Sequence, residues 1–154
     1  MTRLFQSTSV LILLLGLCAT AFAEALRFEL AKTQSCGCCA AYAELVGEAG
    51  PTVAVENLPM ATLMELKTAS GVPAELASCH TSKVNGYVFE GHVPLADIEQ
   101  FLKEKPADAI GLGVAGMPYG SPGMGSGETR DAFDVYVIKK DGSTAVFNSY
   151  AAIE

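Results

Sequence analysis

Three cysteines fall within four residues at Cys36-Gly37-Cys38-Cys39, and a fourth stands directly before a histidine at Cys79-His80. A cysteine thiolate is both a redox nucleophile and a ligand for soft metal ions. Cys36 and Cys39 alone make a Cys-x-x-Cys pair, and at a helix N-terminus the dipole and free backbone N–H groups favour the thiolate form. Cys38 is surplus to that chemistry. A dithiol exchanger needs two sulfurs, and a third beside them competes for mixed disulfides. Three thiolates on one tight loop instead suit a thiophilic cation such as Cu(I). Cys79 and His80 would add a fourth sulfur and an imidazole nitrogen. Adjacent Cys38 and Cys39 chelate one small ion awkwardly but can bridge two. This favours a multinuclear Cu(I)–thiolate site over mononuclear zinc, which usually takes two well-spaced knuckles.

Two other readings of the same residues stay open. One is a thiol–disulfide oxidoreductase, with Cys36 as nucleophile and Cys39 as resolving thiol. The other is a zinc-stabilised structural or partner-binding domain. Three further side chains are candidate metal ligands of lower rank. His92, in Glu90-Gly91-His92-Val93-Pro94, could equally cap the helix that follows. Met117 and Met124 lie in a Gly-rich loop with no helical stripe to explain them, and thioethers are soft ligands. Tyr42 reads as core, as does the Met60, Leu63 and Met64 stripe.

The elements that must position these residues follow from spacing. Residues 26–31 alternate apolar and polar, with Leu26, Phe28 and Leu30 on one face, and predict a strand. The cysteine loop comes next. Tyr42, Leu45, Val46 and Ala49 then recur at helical spacing until Gly50-Pro51. Residues 52–56 predict a second strand and 59–70 a second helix, with Pro59 in its first turn and Gly71 past its end. Residues 78–90 are β-like, and 94–105 predict a helix with Asp97 near its start and Lys103 and Lys105 near its end, as the macrodipole prefers. Residues 111–127 are rich in Gly and Pro. Residues 132–138 and 144–148 flank Lys140-Asp141-Gly142 and predict a hairpin.

A cysteine motif between a first strand and the helix it feeds suggests a thioredoxin-like α/β layout, a central mixed sheet flanked by helices. Gly116-Met117-Pro118 would then resemble the proline turn that faces the cysteines in that fold, with a Gly/Pro-rich insertion before the C-terminal hairpin.

The chain has 154 residues. Residues 1–23 read as a signal peptide: Arg3, an apolar run too short to span a bilayer comfortably, then Ala21-Phe22-Ala23 at the cleavage position. A lipoprotein reading would lipidate Cys18, but the bulky Leu17 precedes it. Cleavage leaves 24–154 as a single exported domain with four cysteines and no later membrane span. The whole chain carries 10 Lys and Arg against 17 Asp and Glu. Losing Arg3 with the leader moves the formal charge from −7 to −8. That balance disfavours nucleic acid and anionic membrane surfaces as partners. An even cysteine count in an exported chain first suggests a disulfide framework, but clustered cysteines close no useful loop.

The ordered set of motifs resembles the CopG-type periplasmic copper-handling proteins, long described only as a domain of unknown function. It comprises Cys36-Gly37-Cys38-Cys39, Gly71-Val72-Pro73, Ser78-Cys79-His80-Thr81, Val84-Asn85-Gly86-Tyr87, Glu90-Gly91-His92-Val93-Pro94 and Gly116-Met117-Pro118 through Met124. The resemblance covers nearly all of the mature chain. It implies a thioredoxin-like fold, a bacterial periplasmic setting and a copper-resistance context, with other periplasmic copper-resistance proteins as partners. It also implies Cu(I) held by the Cys-x-Cys-Cys and Cys-His motifs, with interconversion of Cu(I) and Cu(II) a suggested activity. Tyr42 departs from the tryptophan expected in relatives.

Overall fold

The alternation near the N-terminus forms β1 (Arg27–Lys32), which buries Phe28 and Leu30. The chain then turns through Thr33 to Ser35 into α1 (Gly37–Glu48), capped by Cys36, whose sulfur accepts the Cys39 backbone N–H at 3.3 Å. Gly50, at φ +120°, and Pro51 end that passage, and β2 (Thr52–Asn57) runs parallel to β1. The computed structural model describes residues 26–125 and 128–154. The expected leader and Cys18 lie outside them.

After β2 come α2 (Met60–Ala69), a 3₁₀ turn at Ala74–Leu76, and β3 (His80–Val84), which is antiparallel to β1. The stretch expected as one β segment over 78–90 is a hairpin of β3 with β4 (Tyr87–Glu90). Its turn is Asn85-Gly86, at φ +51° and +83°, the left-handed pair that matches strand twist in a two-residue hairpin. Next are α3 (Leu95–Glu104) and β5 (Ala109–Gly113), parallel to β4. Then β6 (Phe133–Lys139) and β7 (Thr144–Tyr150) form the expected C-terminal hairpin. The result is a seven-stranded mixed sheet in the order β2-β1-β3-β4-β5-β6-β7.

Strand alternation divides the sheet into two faces. Phe28, Leu30, His80, Val84 and Phe89 share one face with Tyr42 and Val46 of α1 and Ile98 and Phe101 of α3. Thr81 and Glu90 are paired across β3 and β4 on the other face, where they meet Lys67 of α2. Asp97 of α3 is buried and accepts hydrogen bonds from Asn148 Nδ2 and Tyr150 Oη, both at 2.8 Å, tying α3 to β7.

Two expectations need correction. Only Leu63 of the α2 stripe is core; Met60 and Met64 are exposed, because Lys67, rather than a methionine, takes the inward position one turn after Leu63. And β5 runs into the start of the region read as Gly/Pro-rich, overlapping it from Gly111 to Gly113. Its Gly111 is required by close approach, since a Cβ there would collide with the Val88 carbonyl oxygen.

Candidate metal centre

Four segments deliver side chains to one end of the sheet: the loop after β1, the bend before β3, the turn after β4 and the loop after β5. The sulfurs of Cys36, Cys38, Cys39 and Cys79 all lie within 4.8 Å of one another. Cys36 and Cys39 are joined as a disulfide, with their Cα atoms 5.4 Å apart, while Cys38 and Cys79 are free thiols. Cys38 is central. Its sulfur is 3.5 Å from Cys36 Sγ, 4.0 Å from Cys79 Sγ and 3.9 Å from Met117 Sδ.

Cys79 occupies a bend, and His80 is the first residue of β3. In regular β structure adjacent side chains face opposite ways. The bend removes that constraint, and His80 Nδ1 comes within 3.5 Å of the Cys79 sulfur. His92 reaches the same sulfur from the turn after β4, with Nε2 at 2.9 Å. Cys79, His80 and His92 thus form a second group whose donor atoms lie within 4.8 Å of one another. Both histidines are fully buried, and their rings pack edge to face at 4.9 Å, with the Tyr42 ring 4.6 Å from His80. His92 is not a helix cap: α3 is capped by Pro94 with no side-chain bond.

The loop after β5 folds back over this end of the sheet. Pro122 O accepts a hydrogen bond from His92 Nδ1 at 2.7 Å, and Gly116 O accepts one from Ser78 Oγ. Met117 remains about half exposed beside Cys38. Met124 is half-buried, and its backbone closes the loop through Ser121 and Gly120. Among the described residues its sulfur makes no hydrogen bond to a cysteine. Gly116-Met117-Pro118, expected to face the cysteines, brings Met117 Sδ to Cys38.

The electrostatics suit ligands that await a cation. Burial, the neighbouring His92 and the Lys67 charge push the His80 imidazole down to about 3, and burial lowers His92 as well. Both rings are therefore neutral at physiological pH, the form that binds metal. Burial and the neighbouring Cys38 push the Cys79 thiol up to about 12, so ionising it calls for a compensating charge such as a bound cation. His80 Nε2 is buried with no hydrogen-bond partner among the described residues. A buried polar atom of that kind ordinarily finds one. Sulfurs, neutral imidazoles and a thioether make a donor set that fits a soft transition metal.

Sequence reasoning ranked His92 low because its partner, the Cys79 sulfur, is brought to it only by the β3–β4 pairing. The motif Glu90-Gly91-His92-Val93-Pro94 was its only local signal.

Fold and site together define a mixed α/β protein with a sulfur- and imidazole-rich centre at one end of its sheet. The family model described as "Protein of unknown function, DUF411" matches residues 76–124, which carry Cys79, His80, His92 and Met117. Two solved structures are similar over most of the chain. "Copper resistance protein copG- Form 1" is 34% identical with a TM-score of 0.76, over 83% of this chain and 99% of that one. "Copper resistance protein copG- Form 2" is 35% identical with a TM-score of 0.75, over 82% and 99%. A comparison with curated proteins finds no match. The chain belongs to the CopG family of copper resistance proteins.

Proposed function

We propose that this protein handles copper in the periplasm, holding Cu(I) as a multinuclear thiolate cluster on Cys36, Cys38, Cys39 and Cys79, with His80 and His92 as nitrogen ligands. One observation carries the reading: four sulfurs from two segments 40 residues apart in sequence converge within 4.8 Å, beside two buried imidazoles. Met117 is an outer thioether for arriving or departing ions, and Met124 is assigned at most a transient role. Two similar solved structures are titled copper resistance proteins, which supports copper over zinc. We take residues 1–23 as a cleaved leader and 24–154 as one thioredoxin-like domain. The order β2-β1-β3-β4, with β1 and β2 parallel and the next two pairings antiparallel, supports that fold. No helix among the described residues is long and apolar enough to cross a membrane.

The Cys36–Cys39 disulfide gives the redox part of the reading a balance. Two Cu(II) ions taken to Cu(I) by the Cys36/Cys39 dithiol leave one disulfide and release two protons. Two thiols, a dithiol or another two-electron donor must then reopen the bond. The same disulfide is the observation that favours the second reading, a thiol–disulfide oxidoreductase using Cys36 and Cys39 on protein substrates.

Anaerobic Cu(I) titration of the reduced protein lacking residues 1–23, with elemental analysis, tests the first reading. More than one Cu(I) per chain, retained against excess zinc, is expected. A single zinc that Cu(I) does not displace would overturn it.

A further inference from the structure

Glu90 lies on the opposite face of the sheet from His80, out of reach of the cluster, and is fully buried. Its carboxylate is nevertheless bonded by three separate segments. Oε1 accepts from Lys67 Nζ of α2 at 2.6 Å and from the Ser78 backbone N–H at 2.7 Å. Oε2 accepts from Thr81 Oγ1 at 2.7 Å, and Lys67 also donates to Thr81 Oγ1 at 3.0 Å. Ser78, held this way, touches two further segments. It stands against Gly91, where φ is +71° and a Cβ would fall 2.8 Å from Ser78 Cβ. Its hydroxyl donates to the Gly116 carbonyl.

Each anchored residue is the sequence neighbour of a metal-site donor. Ser78 precedes Cys79, Thr81 follows His80, Gly91 precedes His92 and Gly116 precedes Met117. Fold stability is a poor explanation for a charged pair here, since replacing a buried ion pair with packed apolar side chains is often neutral or stabilising. What an apolar residue cannot do is accept the Ser78 N–H.

We propose that Glu90, backed by Lys67, is a positioning residue that sets Cys79, His80, His92 and Met117 in register for metal from the far face of the sheet. This rests on the copper reading above only for its metal readout. Removing one partner would leave an uncompensated buried charge, so both are changed together: Lys67→Met/Glu90→Leu, which abolishes the acceptor, and Lys67→Met/Glu90→Gln, which keeps one acceptor oxygen. Two measurements are made, Cu(I) affinity by competition with a chromophoric chelator and the alkylation rate of Cys79 in the metal-free protein.

The leucine variant is expected to melt near the parent temperature yet bind Cu(I) about 10–100-fold more weakly, the usual effect of removing a group that orients a metal ligand. Its Cys79 should alkylate faster, and the glutamine variant should recover part of both properties. A folded leucine variant with parental copper affinity and Cys79 reactivity overturns the proposal. So does equal loss in both variants in step with falling melting temperature. If the leucine variant does not fold, Thr81→Val, which removes the donor to Glu90 Oε2, takes its place, and parental copper affinity and Cys79 reactivity in that folded variant overturn the proposal. A parent protein that takes up no Cu(I) defeats the copper reading instead, and the alkylation rates still decide the role of Glu90.

Discussion

His92 Nε2 sits 2.9 Å from the Cys79 sulfur, and its other ring nitrogen, Nδ1, sits 2.7 Å from the carbonyl oxygen of Pro122. A carbonyl can only accept, so Nδ1 carries the proton and Nε2 turns a lone pair toward Cys79. Fixing one nitrogen through a backbone carbonyl is how metal-binding imidazoles are commonly oriented. Tyr42 adds to the restraint by donating its hydroxyl to Val93 O at 2.8 Å, on the residue after His92.

His92→Ala should therefore weaken Cu(I) binding by a factor of about ten or more, or 1.4 kcal/mol per tenfold. His92→Gln, in which the ring nitrogen is lost but an amide can still meet Pro122 O, should behave like alanine for copper and like the parent in thermal melts. Chelator competition on both variants checks this. Parental copper affinity in His92→Ala would return that residue to a packing role.

Cys38 bonds to Cys36, Cys79 and Met117, whereas among the described residues the Met117 sulfur has a hydrogen bond to Cys38 alone. Cys38→Ser should lower Cu(I) stoichiometry while leaving Cys36 and Cys39 able to close their disulfide. Met117→Leu should preserve stoichiometry and change affinity by only a few-fold, on the order of 1 kcal/mol. Met60→Leu and Met64→Leu, on the exposed side of α2, should change neither. Should Cys38→Ser keep its full copper load but lose disulfide-reductase activity, the oxidoreductase reading takes first place.

Much of this was legible in the chain because the strongest signals are local. The placement of Cys36 and Cys39 at a helix N-terminus, the helix through Tyr42 and Val46, and the Lys140-Asp141-Gly142 hairpin each depend on near neighbours in sequence. The approach of Cys79 to the first loop followed from chemistry, since an isolated Cys-His pair wants a partner. What escaped depends on pairings made at long range. β5 is five residues with two glycines, and Gly111 is small because β4 passes against it. Asn85-Gly86 was seen as part of a motif, while its turn geometry emerges only with β3 against β4. Met60 and Met64 have helical spacing, but spacing alone does not say which side of α2 meets the sheet. Lys67 held the inward position because Glu90, 23 residues later, waits there.

The buried His80 gives the metal-free protein a defined acid sensitivity. Its folded value, about 3, lies below the ordinary 6.5. Between those two values the unfolded chain binds a proton that the folded chain does not, so stability falls as pH falls. The loss begins below about pH 6.5, continues toward pH 3, and has a limiting slope of about 1.4 kcal/mol per pH unit for one such group. Above pH 6.5 His80 contributes no slope. Denaturant titrations at pH 7, 5.5 and 4.5 should show this decline in the parent and a shallower one in His80→Asn. An equal decline in both would mean that other groups carry it.

Gly123 tests whether the loop after β5 is part of the site or a bystander. At φ +81° its conformation suits glycine, and a Cβ there would lie 2.7 Å from the Tyr42 backbone nitrogen and 3.0 Å from Cys38 O. Both neighbours are α1 backbone, which cannot rotate aside as a side chain would. Gly123→Ala must therefore lift the loop from the first turns of α1, at a cost of about 1–3 kcal/mol from strain and overpacking. Pro122 is the adjacent residue, so the carbonyl that fixes the His92 tautomer moves with it. Two effects should appear together in Gly123→Ala: a lower melting temperature, and altered ¹⁵N resonances of the His92 imidazole as its proton ceases to be confined to Nδ1. Copper affinity should fall as well, because Nε2 no longer presents a fixed lone pair to the metal beside Cys79. A variant that melts early but keeps the parental His92 resonances and copper affinity would show that the loop supports the fold without orienting the ligand.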